Sequence, residues 1–241
     1  MIGRLDLFCQ EKILSHGFAS KTYGNFSLKN SDNHNNYQFL AKKLGLLNCP
    51  IVQAEQVHDD NICLVKNDRR ALESGVDGLI TKEEDLVLAI RSADCLPIIY
   101  YETSKKIIGA AHAGWRGLLK NLPGKMIQYI KQLGGQEENI IVGVGPHICS
   151  CCYRVGEELL ELFAQKQPDL KNFFQKQNSD YYLNLLAICQ QQLEKAGIEK
   201  NNFANFKACT VCQNQHWWSY RQEGKACGSM LTVICQKNDQ N

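Results

Sequence analysis

Five short apolar runs constrain the fold of this chain more than any other feature of its sequence. Each run is five or six residues long, and most are bounded by polar residues. A strand with one face in water alternates apolar and polar side chains, so uninterrupted runs predict strands that are buried on both faces. Helices should then cover the sheet. The runs are residues 86–90, 96–101, 107–111, 140–144 and 230–235.

Apolar residues at helical spacing indicate three helices between and after these runs, at residues 119–133, 155–163 and 185–193. Pro123 leaves two interpretations of the first one open. Either the helix begins at the proline, with Asn121 near its cap, or the turn ahead of it is separate. We predict an α+β or mixed α/β fold, with a central β-sheet core covered by helices, in one domain of residues 1–241.

Charge and hydropathy narrow the range of partners. The 241 residues include 27 Lys and Arg against 25 Asp and Glu, which gives a net charge of +2. Such a chain has no basic footprint for nucleic acid or for an anionic membrane, so a small molecule is the expected partner. No apolar stretch approaches the roughly 20 residues of a membrane span, and the N-terminal residues lack the apolar core of a signal peptide. We expect a cytoplasmic protein.

Cysteine is abundant, with 12 residues. In a chain of this length without an export signal, these residues indicate free thiols, metal ligands or a catalytic thiol, and not a disulfide scaffold. Two groups stand out: Cys149, Cys151 and Cys152 after His147, and the pair Cys209 and Cys212. A structural zinc, an iron–sulfur site or a redox disulfide is one interpretation. A single CxxC without finger spacing favours ordinary thiols.

Three segments carry residues suited to chemistry. Residues 54–58 (AEQVH) end in His58, residues 92–97 (SADCLP) contain Cys95 between two predicted strands, and residues 110–117 (AAHAGWRG) contain His112. Two imidazoles and a thiolate form a three-ligand zinc site that leaves one position to water. Copper suits the same ligands. A Cys95–His112 pair of nucleophile and base is the alternative without metal.

These segments, together with VGPHI, resemble the YfiH family, also called the laccase-domain or multicopper polyphenol oxidase-like family. Further similar segments are SHGFASKTYGNFSL, VDGLIT, CTVC and WWSYRQEG, so the resemblance covers nearly the whole chain in order. It implies a mixed α/β fold and maps the family's metal ligands onto His58, Cys95 and His112.

The resemblance also implies an activity. Members are described as zinc-dependent enzymes that phosphorolyse adenosine, inosine, guanosine or methylthioadenosine and deaminate adenosine. Copper-dependent polyphenol oxidation and the editing of a cell-wall precursor, here by a metal-free Cys–His hydrolase, are the alternatives. The implied partners are a nucleoside and phosphate.

Further roles follow from that activity. Trp115 offers a stacking face, and Arg116 or Arg221 would hold phosphate, because a guanidinium matches its oxygens. Asp77 is placed with the substrate-binding residues, and Asp77 or Glu55 is also a candidate to orient a ligand histidine or to shuttle protons.

The sequence departs from the family pattern at several positions. Asp59 follows His58 where glycine is usual, and Cys227-Gly228-Ser229 replaces Thr-Gly-Arg. Arg154 replaces a glutamate, and Gln222 replaces an arginine. These departures bear on substrate choice more than on the metal ligands.

Overall fold

The computed structural model describes residues 1–66 and 71–238. Short strands dominate the first half of the chain, and the longest ones lie in the middle and near the end. The strands are β1 (Ile2–Gly3), β2 (Leu14–Ala19), β3 (Ile51–Glu55), β4 (Ile62–Leu64), β5 (Leu72–Ser74), β6 (Gly78–Thr81), β7 (Val87–Ser92), β8 (Leu96–Glu102), β9 (Ile107–Ala113), β10 (Ile140–Val144), β11 (Arg154–Val155), β12 (Phe174–Gln177), β13 (Asp180–Leu183), β14 (Phe203–Asn205) and β15 (Met230–Gln236).

The helices fall mostly in the second half of the chain. The α-helices are α1 (Asp6–Cys9), α2 (Asn33–Leu44), α3 (Trp115–Leu119), α4 (Leu122–Gln132), α5 (Glu157–Lys166), α6 (Leu185–Lys195) and α7 (Tyr220–Glu223). Single 3-10 segments lie at Lys21–Tyr23, Glu137–Asn139, Pro168–Phe173, Lys200–Asn202 and Gly224–Ala226. None of the helices in the described part of the chain is long and apolar enough to cross a membrane. The cytoplasmic location stays a prediction.

The strands form two six-stranded sheets and a small one. The first sheet has the order β1-β2-β15-β7-β3-β5, and the second has the order β14-β10-β8-β9-β6-β4. A three-stranded sheet, β11-β13-β12, is not hydrogen-bonded to either of them and packs against the helical core through Leu183. The middle of each large sheet is antiparallel, with β15 between β2 and β7 and with β8 between β10 and β9.

The two large sheets pack face to face, and helices cover their outer faces. Alternate residues of β8 show this arrangement: Ile99 and Tyr101 join the core between the sheets, whereas Ile98 and Tyr100 join the core under the helices. That helical side includes α4 and α6. The helix α2 covers the outer face of the first sheet, where Leu40 packs in a third cluster. The central strands are therefore buried on both faces because the other large sheet covers one face and helices cover the other.

The predicted architecture is confirmed as a mixed fold with helices around a β core. All five apolar runs are strands: β7, β8, β9, β10 and β15. The core contains two stacked sheets, which local patterning does not distinguish from one.

The helical predictions are correct in position and differ at their ends. The first stripe is divided, because Asn121 takes a left-handed conformation with φ 61° between α3 and α4, and Pro123 lies in the first turn of α4. Both readings of the proline therefore hold in part. Val155 is not helical: it pairs with Tyr181 in the small sheet, and α5 begins at Glu157.

Candidate metal centre

Strand ends from both large sheets bring His58, Cys95 and His112 together. His112 lies in β9, and the antiparallel register pairs it with Pro97 of β8. Cys95 immediately precedes β8, so it lies beside the end of β9. His58 follows β3 in a loop, with φ 59°. Three distant stretches of the sequence thus meet at one edge of the fold.

Their donor atoms form a compact group. One nitrogen from each imidazole and the Cys95 sulfur all lie within 4.8 Å of one another. The two imidazole rings stand at 89°, with centroids 4.7 Å apart. His112 is buried, Cys95 is half-buried and His58 is exposed. The group therefore opens to solvent on the side of His58.

Gly114 makes room for the cysteine. A Cβ atom at this position would lie 2.9 Å from the Cys95 sulfur, closer than such atoms approach in proteins. The HAGWRG segment therefore needs a glycine here because its backbone passes directly against the thiol.

Asp77 is the buried support of the group. It precedes β6 and is 0% exposed. Oδ1 accepts hydrogen bonds from His112 Nδ1 at 2.8 Å and from the His58 backbone N–H at 3.2 Å. Oδ2 accepts from the backbone N–H groups of Val57 at 3.0 Å and Asp59 at 2.8 Å. One carboxylate thus fixes the loop that carries His58 and orients the His112 ring.

These contacts set the charges of the group. Burial alone raises the pKa of the Cys95 thiol, but the adjacent His112 and His58 outweigh it and lower that pKa to about 6. Burial lowers the pKa of His112, but Cys95 and Asp77 raise it to about 9. The pKa of Asp77 is lowered despite burial, because His112 and backbone N–H groups donate to its carboxylate. Without metal these shifts favour a thiolate at Cys95 beside a protonated His112.

Asp94, the residue before Cys95, holds the turn that carries Cys95 in place through two hydrogen bonds. Asp94 has φ 97°, and its carboxylate accepts from Thr210 Oγ1 and from the Arg221 backbone N–H, each at 2.6 Å. Sequence reasoning did not assign Asp94 a role, although its place inside SADCLP was a signal. Its partners lie 116 and 127 residues away, so only the fold shows what it binds.

A cavity of about 380 Å³ opens over the group. Gln56 and Arg91 line it, and their pairing completes its wall: the Gln56 side chain bonds both the backbone N–H and the carbonyl of Arg91 at 2.7 Å. Tyr220, 59% exposed, also lines the cavity, as do Cys227 and Ser229 of the segment that departs from the family pattern. Sequence reasoning gave neither Gln56 nor Tyr220 a role.

The other predicted residues lie around this cavity. Arg116 stacks on the Trp115 ring at 4.2 Å, in a groove that shares His58 with the cavity. Arg221 stacks on Tyr153 at 5.2 Å in a third groove, which also includes Trp115. Asp77 has no exposed surface, a placement that fits ligand orientation and not substrate contact. Glu55 is exposed, and its carboxylate accepts a hydrogen bond from the Ser74 hydroxyl.

The three donors fit a transition metal. Two imidazoles and one thiolate are ligands of zinc and of copper. Around one tetrahedral ion, with bonds of about 2.0–2.3 Å, such donors lie roughly 3.3–3.6 Å apart. Donor atoms gathered within 4.8 Å reach those separations by small side-chain adjustments. His112 is already held by a carboxylate at its other nitrogen, as ligand histidines usually are.

The fold and this site define a mixed α/β protein with a two-histidine, one-cysteine group suited to a metal. A family model described as multi-copper polyphenol oxidoreductase laccase matches residues 15–237, and the chain belongs to that family. The family membership that its motifs predicted is thereby confirmed.

Relatives in this family carry two kinds of name. The chain is 31% identical over 218 residues to purine nucleoside phosphorylase YlmD of Geobacillus stearothermophilus, covering 85% of this chain and 79% of YlmD. It is 27% identical over 208 residues to adenosine deaminase RL5 from an unknown prokaryotic organism, covering 82% and 79%.

Solved structures agree with the fold. The crystal structure of YlmD from Geobacillus stearothermophilus matches with a TM-score of 0.86 at 27% identity, over 96% of this chain and 94% of that one. The crystal structure of the Bacillus licheniformis protein YfiH matches with a TM-score of 0.84 at 28% identity, over 93% of each chain.

Proposed function

We propose that this protein is a zinc-dependent enzyme of purine nucleosides that uses His58, Cys95 and His112 as metal ligands. The observation that carries the proposal is the gathering of these three donors around one point under an open cavity. The names of the relatives YlmD and RL5 support the substrate class and the two reactions, phosphorolysis and adenosine deamination.

The ligand environment favours zinc over copper. Blue-copper sites usually add a weak axial ligand such as methionine. Among the described residues lining the cavity there is no methionine, and both Met126 and Met230 are buried in the core clusters. Zinc held by His58, Cys95 and His112 would act as a Lewis acid and would make water a better nucleophile near neutral pH.

The protein groups prepare this site for deamination. In that reaction, oxygen from water replaces the purine amino group, and ammonia leaves. Asp77 holds the Nδ1 proton of His112, so Nε2 is the ring nitrogen free to bind metal. Tyr220 exposes its ring at the cavity and offers a stacking face to the purine.

Phosphorolysis also requires a binding site for phosphate near the nucleoside. An oxygen of phosphate attacks the anomeric carbon of the sugar, and the base leaves with the bonding electrons. Arg116 and Arg221 provide guanidinium groups in the two grooves beside the cavity. Arg221 Nη1 donates to the Arg154 carbonyl at 2.8 Å, which fixes its position. We assign phosphate binding to these arginines.

A second candidate is a metal-free thiol enzyme, because Cys95 and His112 lie together under the cavity as a nucleophile and its acid–base partner would; a cell-wall precursor is the alternative substrate. The pKa of the Cys95 thiol is lowered to about 6, so its thiolate can act as a nucleophile. The protonated His112 beside it can act as the acid. Copper-dependent oxidation of phenols remains the third alternative because copper accepts the same ligands. Metal content and product analysis separate the three.

The test pairs elemental analysis with a chromatographic nucleoside assay. Protein purified without added zinc or copper is incubated with adenosine or inosine, with and without phosphate. We expect the protein to contain bound zinc. Free purine base should form only when phosphate is present, whereas adenosine should be converted to inosine in the absence of phosphate. Cys95→Ser and His112→Ala should each remove zinc from this site and abolish both activities.

Matched variants of the same residue types serve as controls. Cys9→Ser and His34→Ala alter exposed side chains in α1 and α2 and should keep zinc and turnover. Turnover that persists after metal is stripped favours the thiol nucleophile. Copper with phenol oxidation and no nucleoside turnover refutes the proposal.

A further inference from the structure

A second group of metal-binding side chains lies outside the site described above. Cys151, Cys152, Cys209 and Cys212 place their four sulfur atoms within 4.8 Å of one another. We call this group the four-cysteine cluster. None of these four cysteines forms a disulfide. Four thiols with no role in the proposed reaction therefore occupy one small volume.

Two rigid turns bring the cluster together. Cys152 and Tyr153 donate their backbone N–H groups to the Cys149 carbonyl at 3.0 Å, which fixes the first pair. The second pair is a CxxC, and the Cys209 carbonyl accepts from the Gln213 backbone N–H at 3.0 Å. The backbone bridge between His147 and Cys209 joins the two turns. The sulfur atoms are thus placed by main chain that is already hydrogen-bonded.

The sulfur separations match those around a single ion. Four thiolates bound tetrahedrally at about 2.3 Å have sulfur atoms roughly 3.8 Å apart. Cys151 lies 3.6 Å from Cys152, 3.9 Å from Cys209 and 3.7 Å from Cys212, measured between sulfur atoms. Cys152 and Cys212 are 3.4 Å apart. A cluster of several iron and sulfide atoms needs more room than this.

Backbone N–H groups already point at one of the sulfur atoms. The Cys209 sulfur accepts from the Cys149 N–H at 3.4 Å, and the neighbouring N–H groups of Val211 and Cys212 also favour its thiolate. Hydrogen bonds of this kind stabilise a negative sulfur and orient it, as the surroundings of metal ligands do. Cys209 is buried, whereas Cys151 and Cys212 are exposed, so the cluster is open to an incoming ion.

We propose that the four-cysteine cluster binds one structural zinc ion through four thiolates. The ion would fasten the turn at Cys151 and Cys152 to the loop at Cys209 and Cys212. That loop carries Thr210, which donates to Asp94 beside Cys95. The site is separate from the group of His58, Cys95 and His112, and the proposal does not rest on the nucleoside activity.

The first measurement is the zinc content of the full chain, purified under reducing conditions. We expect about two zinc ions per chain in the wild type and about one in Cys209→Ser/Cys212→Ser, since structural zinc needs its full ligand set. Cys9→Ser should keep both. One zinc in the wild type that survives Cys209→Ser/Cys212→Ser overturns the proposal.

The second measurement leaves the cluster intact, so it does not depend on the folding of the cluster variant. Cys95→Ser/His112→Ala removes the other site and should retain about one zinc, with X-ray absorption showing about four sulfur neighbours near 2.3 Å. Retained zinc with nitrogen or oxygen neighbours contradicts the assignment, as does loss of all zinc from this variant. Bound iron, or a mass lower by two hydrogens per disulfide in unreduced wild type, contradicts it as well.

Discussion

Asp77 Oδ1 lies 2.8 Å from His112 Nδ1, and both side chains are buried. The same carboxylate accepts three backbone N–H groups from the loop at Val57, His58 and Asp59. One ionised group therefore sets the tautomer of one candidate ligand and the position of another. A carboxylate that holds a ligand histidine in this way usually increases metal affinity.

Asp77→Asn tests this relationship. The amide has nearly the same shape, but it lacks the charge that favours an Nδ1–H donor and a basic Nε2. We expect metal affinity to fall about 10- to 100-fold, measured by competition with a chelating dye. Asp169→Asn alters an exposed carboxylate far from the site in sequence and serves as the control. An affinity equal to that of the wild type would show that the carboxylate does not support the metal.

Gly114→Ala tests how tightly the backbone passes Cys95. The new Cβ would meet the Cys95 sulfur at 2.9 Å, so the thiol or the backbone must move. We expect weaker metal binding and a cost of about 1–3 kcal/mol in the free energy of unfolding. Denaturant unfolding and metal titration measure the two effects.

Gly134→Ala is the control for destabilisation alone. Gly134 has φ 94° and an open space around the position of a Cβ atom. The alanine should lower stability by about 1 kcal/mol through backbone strain, while metal affinity stays at the wild-type value. Equal metal affinity in both alanine variants would contradict the steric argument.

The sequence predicted those parts of the structure that depend on local patterning. The apolar runs became β7, β8, β9, β10 and β15 because burial on both faces leaves a continuous signature in each strand. Motif resemblance named His58, Cys95 and His112, which the structure brings together. Their role in catalysis stays a prediction.

The remaining features depend on pairings between distant residues. The strand order of the first large sheet places β3 beside β7 and β15 beside β2, and no local pattern specifies these pairings. Asp94 reaches Thr210 across 116 residues, and only the folded chain shows that contact. Cys151 and Cys152 lacked finger spacing in the sequence, yet the bridge at Cys209 brings the CxxC beside them.

Thr210→Val tests whether the hydrogen bond from Thr210 to Asp94 stabilises the turn that carries Cys95. Thr210 is 0% exposed and donates to Asp94 at 2.6 Å, so valine leaves one carboxylate oxygen without this donor. We expect the free energy of unfolding to fall by about 1–3 kcal/mol, measured by urea denaturation. Thr103→Val, at the turn between β8 and β9, is the control and should change stability by only a few tenths of a kcal/mol. A Thr210 variant as stable as this control would show that the hydrogen bond to Asp94 does not stabilise the fold.

The buried side chain of His16, which is not one of the candidate metal ligands, leads to a prediction of how stability changes with pH. The side chain lies in β2, is 2% exposed, and its Nε2 accepts the Leu5 backbone N–H at 2.9 Å. Burial, with a smaller effect of Arg4, lowers the pKa of His16 from 6.5 to about 4. As pH falls through this range, the unfolded chain binds a proton that the folded chain does not, so unfolding is favoured.

Between pH 6.5 and pH 4, His16 should account for a loss on the order of 3 kcal/mol in the free energy of unfolding, and His16→Gln should remove that part of the loss. Glutamine keeps an oxygen acceptor for the Leu5 N–H but does not titrate. The measurement is urea unfolding at several pH values, comparing slopes of the unfolding free energy against pH. His34→Gln, at an exposed position in α2, should keep the wild-type slope. A wild-type slope in His16→Gln would refute the contribution of His16 and would assign the acid sensitivity to other groups, such as His147, a second buried imidazole whose pKa is lowered by burial.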